Sequence, residues 1–523
     1  MMFIHILIAS LASSINAASI VSRSQSYPLS QLGPQTTLTI GNKVIAPDGF
    51  KRSATLVNGM FPGPLIAAQK GENFSIDVVN ELEDETMFKS TSVHWHGIYQ
   101  NGTNYADGTS FVTQCPIAQN HSFLHTFSAP NQAGTYWYHS HYSVQYASCD
   151  GLRGAFVIYD PQDPLVDMYD VDDASTVITL SDWYHVVAPV LRHLIAPIAD
   201  SSLINGLGRY VGGPPSDLAV ISVQQGKRYR MRLVAMSCDP NFLFSIDGHN
   251  LTVIEADGEL TEPLVRYSVV LVADKPVGNY WMRSLPNTPG ASFVGGTNSA
   301  ILRYTGAPQA NPTTVNTASQ NPLLETNLHA LINPGAPGIP EYGKADINLQ
   351  LNVSNVGGTF YVNNVTFKPP TVPVLLQILS GAHEASQLLP NGSVIVLEAN
   401  KVVELTMSTT GPGGPHPIHL HGHAFDVVQS ATSSTFNYVN PVRRDVVNAG
   451  GPGQQMVIRW TTDNSGPWFL HCHIDWHLEA GFAVVMAESP SDTAAHVDPV
   501  PQEWDQLCPI YDSLTPSQLG GGE

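Results

Sequence analysis

Residues 469–482 read FLHCHIDWHLEAGF, which places His471, Cys472, His473 and His477 within a few positions of one another. Imidazole nitrogens bind copper, zinc, iron and nickel, and a thiolate adds affinity for copper and zinc. Three more clusters accompany this one: HWHG at 94–97, HSH at 139–141 and HPIHLHGH at 416–423. Together the four motifs hold 11 of the 20 histidines in the chain, a concentration that scattered surface histidines do not produce. In a strand, residues i and i+2 point to the same face. Each His-X-His pair therefore presents two imidazoles on one side. The four pairs supply His94, His96, His139, His141, His419, His421, His471 and His473. One metal takes three or four such ligands, so eight suit two or three metals in one shared cluster.

The same alternation turns Cys472 away from His471 and His473, so it needs other partners. His477 follows five residues later, and His416 lies three residues before His419. A cysteine with two histidines is the trigonal blue-copper arrangement, completed by a weak axial ligand. A tetrahedral zinc site would want a fourth strong ligand, and no second cysteine is near in sequence. In the first half of the chain Ser140 stands where Cys472 would be, so that half should lack this centre. A one-electron centre at Cys472 would feed the cluster through its peptide links to His471 and His473. Three cluster metals and one feeder store four electrons, the number that reduces O₂ to two waters.

These motifs need a scaffold of strands. FSIDVVNEL (74–82), RYRMRLVAM (228–236), VVELTMS (402–408) and QMVIRWTTD (455–463) are short β-type runs rich in branched residues. With 43 glycines and 39 prolines for turns, the sequence predicts an all-β fold of Greek-key barrels or sandwiches. An internal repeat sets the number of domains. GTYWYHSH, GNYWMRSL and GPWFLHCH begin at Gly134, Gly278 and Gly466, a spacing that fits three homologous domains. The outer two carry matching His-X-His pairs, and the middle one carries none. The division predicted is a first domain over 19–160, a second over 161–330 and a third over 331–523. The middle domain acts as spacer and substrate wall. The polar connector 305–322 should be coil.

Composition narrows the partners. A net charge of −20 suits no polyanion, so nucleic acid is not expected. The stretch MMFIHILIASLASSINA reads as a signal peptide over 1–18, too short to span a membrane, and SQLGGGE carries no hydrophobic anchor. Secretion agrees with seven Asn-X-Ser/Thr sequons, at Asn73, Asn101, Asn120, Asn250, Asn352, Asn364 and Asn391. Five cysteines in a secreted chain leave at least one thiol free if the others pair, and Cys472 is the one the metal reading requires. GLGRYVG (206–212) is followed by Pro214 and Pro215, so no dinucleotide-binding helix opens there, and no G-X-S-X-G occurs.

HWHG, WYHSH, HPIHLHGH and HCHIDWHLEAGF resemble the multicopper oxidases, and among them the fungal laccases. The resemblance extends through SDWYH (181–185), SLINGLGRY (202–210) and SCDPNFLFSIDGH (237–249). It implies three cupredoxin-like domains and four copper ions. The type 1 copper would take His416, Cys472 and His477, and the type 2 copper His94 and His419. One type 3 copper would take His96, His139 and His473, and the other His141, His421 and His471. The axial position falls at Phe482, which cannot coordinate and should raise the potential. Asp239 matches the carboxylate that accepts a phenol proton. Asp107 and Asp475 match carboxylates near the cluster that deliver protons to reduced oxygen. Cys115 would pair with Cys508 and Cys149 with Cys238. Tyr105 stands where the family more often has Trp. The activity implied is one-electron oxidation of phenols and aromatic amines coupled to reduction of O₂ to water, by a secreted monomer. The alternative is a metallo-oxidase of the same fold acting on Fe(II), which would need an acidic, ion-sized pocket beside the type 1 site.

Overall fold

The computed structural model describes residues 29–520, apart from 143–145, 193, 195–196, 240, 262–267, 320–321, 390, 411–413 and 498. The signal-peptide reading of 1–18 lies outside the described residues.

Alternation builds the strands. Asn73–Glu81 buries Phe74, Ile76, Val78 and Asn80 while its other side chains face outward, and Ser122–Ser128 buries Phe123, His125 and Phe127 in the same way. Such strands assemble into paired sheets, as the sequence predicted. Among the described residues, strands between 31 and 159 form sheets of five and four strands, and those between 177 and 304 form sheets of seven and four. Strands between 347 and 488 form sheets of six and five. Each pair of sheets closes over apolar side chains to give a sandwich. The connector at 305–322 has no strand or helix in its described part.

Two sheets carry the histidines, with the same register. Strand Val93–His96 pairs antiparallel with Gly134–Ser140, setting His94 opposite His139. Strand Pro417–Leu420 pairs antiparallel with Gly466–Cys472, setting His419 opposite His471. Trp95, between His94 and His96, turns to the opposite face and is buried with Phe127, Tyr138 and Phe156. Burying a large apolar side chain contributes about 1.5–3 kcal/mol, so the residue that anchors the strand in its core also fixes which way both imidazoles point.

Polar contacts and two disulfides hold the sandwiches together. Arg232 donates to Thr135 Oγ1 (2.8 Å), and Thr135 N–H donates to Glu255 (2.6 Å), joining the first and second domains. Arg444 donates to Asp257 (2.8 Å), joining the third to the second. Cys149–Cys238 bridges the first and second domains. Cys115–Cys508 ties the first domain to helix Gln502–Asp512, 393 residues further on, where Trp504 Nε1 also donates to the Thr113 carbonyl (3.0 Å). Both pairings match those the resemblance implied.

A cross-link closing so long a loop restricts the unfolded chain strongly. Replacing Cys115 and Cys508 together by serine should cost about 2–5 kcal/mol and lower the melting temperature of the copper-free protein. An unchanged melting curve would mean that the helix contacts alone hold this junction.

Candidate metal centres

All eight paired histidines converge on one buried space between the first and third domains. Three groups in it bring their ligand atoms within 4.8 Å of one another: His94 with His96 and His139, His141 with His421 and His471, and His94 with His419 and His421. His473 completes the cluster, its ring centroid 5.0 Å from that of His96 and 5.2 Å from that of His139. Glycines end both first pairs. A Cβ on Gly97 (φ +92°) would lie 2.6 Å from the Tyr136 ring, and one on Gly422 (φ +72°) 2.4 Å from the Trp468 ring. The chain must leave the histidine strands in a left-handed turn with an aromatic ring against its backbone, and glycine alone does this without strain.

Backbone groups set the tautomers. His94 Nδ1 donates to the Asp107 carbonyl (2.7 Å), His139 Nδ1 to Ser140 O (2.9 Å), His419 Nδ1 to Asp445 O (2.8 Å) and His471 Nδ1 to Cys472 O (3.0 Å). His421 Nδ1 donates to Asp107 Oδ2 (2.9 Å). These bonds place the lone pairs on Nε2. The Nε2 atoms of His94, His139, His141, His419 and His473, and Nδ1 of His96, are buried with no hydrogen-bond partner. Nε2 of His421 and Nε2 of His471 face each other at 3.1 Å. Burial, reinforced by the neighbouring imidazoles, holds His96, His139, His141, His419, His421 and His471 well below the usual histidine range. The rings are neutral donors aimed at one another, an arrangement that a soft or borderline cation satisfies.

Cys472 lies on the other face of its strand, as alternation requires. It is the one free cysteine among the described residues and is fully buried. Its Sγ is 3.6 Å from His477 Nδ1 and 3.9 Å from His416 Nδ1, and those two nitrogens are 3.2 Å apart. Burial lowers His416 to about 4 and, with His416 beside it, His477 to about 3, while it pushes the thiol up. Binding a metal is what deprotonates such a thiol. Phe482 presents a ring 5.4 Å from that of His416 and stacks on Phe360 at 5.1 Å. Phe360 also packs on His477 (4.7 Å). In the first domain the matching positions are Thr91 and Ser140, whose hydroxyl oxygens are 3.5 Å apart.

The carboxylates distribute unevenly. Asp107 lies within the cluster: besides His421 it receives Thr109 Oγ1 (2.8 Å), and its Oδ1 is 3.2 Å from His94 Nδ1. Asp475 turns elsewhere. Its N–H donates to the Cys238 carbonyl (2.8 Å), and Oδ2 lies 3.0 Å from Cys149 Sγ, against the disulfide. Burial raises it well above the ordinary carboxylate range, so its proton is available to that contact. Asp239 follows Cys238 and so sits beside the turn that carries Asp475 and His477. Burial, with Asp182 nearby, raises it to about 7. Tyr105 is partly buried against the first-domain core. Two participants carried no sequence signal. Asp445 brings Oδ1 within 3.5 Å of His96 Nε2 and forms a ligand group with His96 and His419. Phe360 lies 112 residues before Cys472 in a stretch without histidines.

Three paired-sheet domains, a buried eight-histidine cluster and a cysteine–histidine centre joined to it by adjacent residues define a recognisable class. Family models described as multicopper oxidase match residues 39–163, 174–307 and 367–492. The chain belongs to the multicopper oxidases, and within them to the fungal laccase family. It is 57% identical over 501 residues to a laccase of Pycnoporus cinnabarinus, covering 93% of this chain and 96% of the relative. It is 56% identical over 502 residues to Laccase-4 of Trametes villosa, with the same coverages. Among solved structures, a laccase from Botrytis aclada superposes with a TM-score of 0.81 at 31% identity, covering 94% of each chain. Fet3p, described as a multicopper oxidase that functions in iron import, superposes at 0.79 with 28% identity, covering 92% of this chain and 95% of that one.

Asp107 holds two histidines from different domains, so its loss should disturb the cluster without unfolding a sandwich. Asp107→Ala should weaken copper retention by about 10–100-fold, read as copper kept per chain against a graded chelator. Retention equal to wild type would show that the backbone bonds alone orient these rings.

Proposed function

We propose that the chain is a laccase that oxidises phenols and aromatic amines one electron at a time and reduces O₂ to water. The observation that carries this is Cys472: its thiol faces His416 and His477, while the residues on either side of it, His471 and His473, face the cluster. Bound copper would supply one-electron chemistry at the first site and oxygen reduction at the second. We read the type 1 copper as held by His416, Cys472 and His477, and the type 2 copper as held by His94 and His419. The type 3 pair is then held by His96, His139 and His473 on one side and by His141, His421 and His471 on the other.

The protein's own part is to position, exclude water and handle protons. Phe482 and Phe360 wall the Cys472 site with rings that cannot coordinate. A copper held by His416, Cys472 and His477 would find no donor in either ring, which would favour its reduced form and raise its potential. His477, in helix Asp475–Glu479, is partly exposed and is the edge through which a substrate electron enters. Asp239 accepts the phenol proton, so proton and electron leave together. A secreted protein fits the two disulfides. No helix among the described residues is long and apolar enough to cross a membrane. The likeness to Fet3p raises Fe(II) as a substrate. Against it, burial and the nearby Asp182 push Asp239 up to about 7, which makes it a weaker cation ligand than an ordinary carboxylate.

The copper-loaded protein should be blue, and Cys472→Ser should be colourless. A blue variant would sink the assignment of Cys472. For Asp239 the sign is set by its role: only the carboxylate accepts a proton, and it is populated above about 7. Phenol oxidation should therefore gain as pH climbs towards 7, and oxidation of a non-protic dye should not share that limb. Asp239→Asn should remove the limb and slow phenols by about tenfold or more. Equal slowing on phenol and dye would remove its proton role.

A further inference from the structure

Strand Val177–Trp183 of the second domain ends in the motif SDWYH (181–185), which lies outside both histidine clusters. Asp182, Trp183 and Tyr184 are all buried. Alternation sends Trp183 to one side. There it packs on Phe61 (5.0 Å) and under the Arg52 guanidinium (3.9 Å) of the first domain. Asp182 and Tyr184 go to the other side. Asp182 accepts from the Cys238 N–H through both oxygens (2.9 and 3.1 Å) and from the Asp239 N–H (3.2 Å). Its charge is balanced by Arg153 of the first domain, which donates to Oδ1 (2.9 Å) and to the Asp182 carbonyl (2.6 Å). Arg153 also donates to the Met236 carbonyl, two residues before Cys238. The third domain reaches the same turn, since the Asp475 N–H donates to the Cys238 carbonyl (2.8 Å). The Cys149–Cys238 disulfide adds a covalent tie. The backbone up to Asp239 is thus fixed from all three domains, while Asp239 itself stays partly exposed.

Tyr184 holds the other half. Its hydroxyl accepts from Trp476 Nε1 (3.3 Å), and the two rings meet edge to face at 5.5 Å. Trp476 lies between Asp475 and His477 in helix Asp475–Glu479. The Tyr184 hydroxyl also interacts with the Asp182 carboxylate. One strand end therefore grips both the backbone of the proton acceptor and the helix of the electron edge. One-electron oxidation of a phenol breaks one O–H bond. The electron leaves through His477, the proton goes to the Asp239 carboxylate, and the carboxyl then returns it to solvent. Both depart from one substrate oxygen, so the separation of Asp239 from His477 matters, and a misplacement of about 1 Å can cost about 100-fold in rate.

We propose that Asp182 and Tyr184 are positioning residues for phenol oxidation: through the Asp239 backbone and the Trp476 indole they hold the carboxylate and the His477 edge at one fixed separation. The proposal rests on phenols being the substrate and on Asp239 being the proton acceptor. Both residues are buried, so they act from behind the site and do not touch substrate. The charges agree with this role. The groups facing Asp239 are Asp182 and Tyr184 from the second domain and Asp475 and Cys472 from the third. Asp182 adds to the burial that raises Asp239 to about 7, so the residue that places the acceptor also makes it more basic. A non-protic dye gives up an electron alone and needs the His477 edge without the carboxylate.

The test uses the full-length copper-loaded protein. Asp182→Asn keeps the shape, but its single oxygen cannot serve both Arg153 and the turn. Tyr184→Phe keeps the ring and both buried charges, and so decides the matter should Asp182→Asn fail to fold. Each folded variant should remain blue. On a methoxyphenol, kcat should fall by about tenfold or more with KM within about twofold, whereas oxidation of the dye should fall by about twofold or less. Placed on Asp239→Asn, either change should cost phenol oxidation little more, because the geometry it holds no longer serves a proton acceptor. Equal slowing on phenol and dye, losses that add in full on Asp239→Asn, or a colourless variant would overturn the proposal and leave the two residues structural. Wild-type phenol kinetics in either folded variant, with Asp239→Asn slow, would overturn the frame alone. Asp239→Asn oxidising phenols at the wild-type rate would overturn the Asp239 reading and the frame with it.

Discussion

Lone pairs on neutral imidazoles repel when they face each other without water between them, and this chain is folded to make them do so. His421 and His471 bring Nε2 to Nε2 at 3.1 Å, each with its Nδ1–H already donated, to Asp107 and to the Cys472 carbonyl. Each buried nitrogen left without a partner costs about 1–3 kcal/mol. The carbonyls of Asp107, Ser140, Asp445 and Cys472 forbid an escape by tautomer exchange, because each already takes an Nδ1–H. The rest of the architecture tolerates that unfavourable meeting. Two sandwiches present the rings, and disulfides and arginine pairs tie both to the third and stop the domains from drifting apart. A cation at these points turns repulsion into binding, so metal affinity and interdomain stability are aspects of one interaction.

The outer domains show how little separates a metal site from an ordinary core. Both place a His-X-His strand opposite a second such strand in the same register. On the reverse face the third domain puts His416 and Cys472, and the first puts Thr91 and Ser140, which can only exchange a weak hydroxyl contact. Electrons therefore have one entrance, although the scaffold could frame two.

Whatever recurs along the chain was legible in the sequence. Strand alternation sorted His471 and His473 from Cys472, and the repeated glycine–aromatic motif showed three domains. The disulfide partners and the copper types came from resemblance, since spacing alone leaves the pairing of cysteines open. Asp445 and Phe360 were not legible, because each is a single residue without a periodic neighbour: Asp445 meets His96 only when the first and third domains dock, and Phe360 meets His416, His477 and Phe482 only when the third domain folds. Asp475 shows the converse. Its position in HCHID suggested the cluster, yet the helix begins there and turns the carboxyl towards the Cys149–Cys238 bridge. Sequence adjacency to a ligand fixes the backbone and leaves the side chain's direction to the next element.

The cluster draws half its ligands from residues 94–141 and half from 419–473, and this bears on how the protein is made. Translation delivers the first four histidines long before the last four. While the chain is growing, the early half-site offers no closed pocket and the late thiol does not yet exist. A copper ion caught at that stage would be held loosely, with no electron entrance and no wall against solvent. Splitting the ligands in this way means that neither segment completes the cluster by itself, so the oxygen-reducing site exists only once the first and third domains have docked.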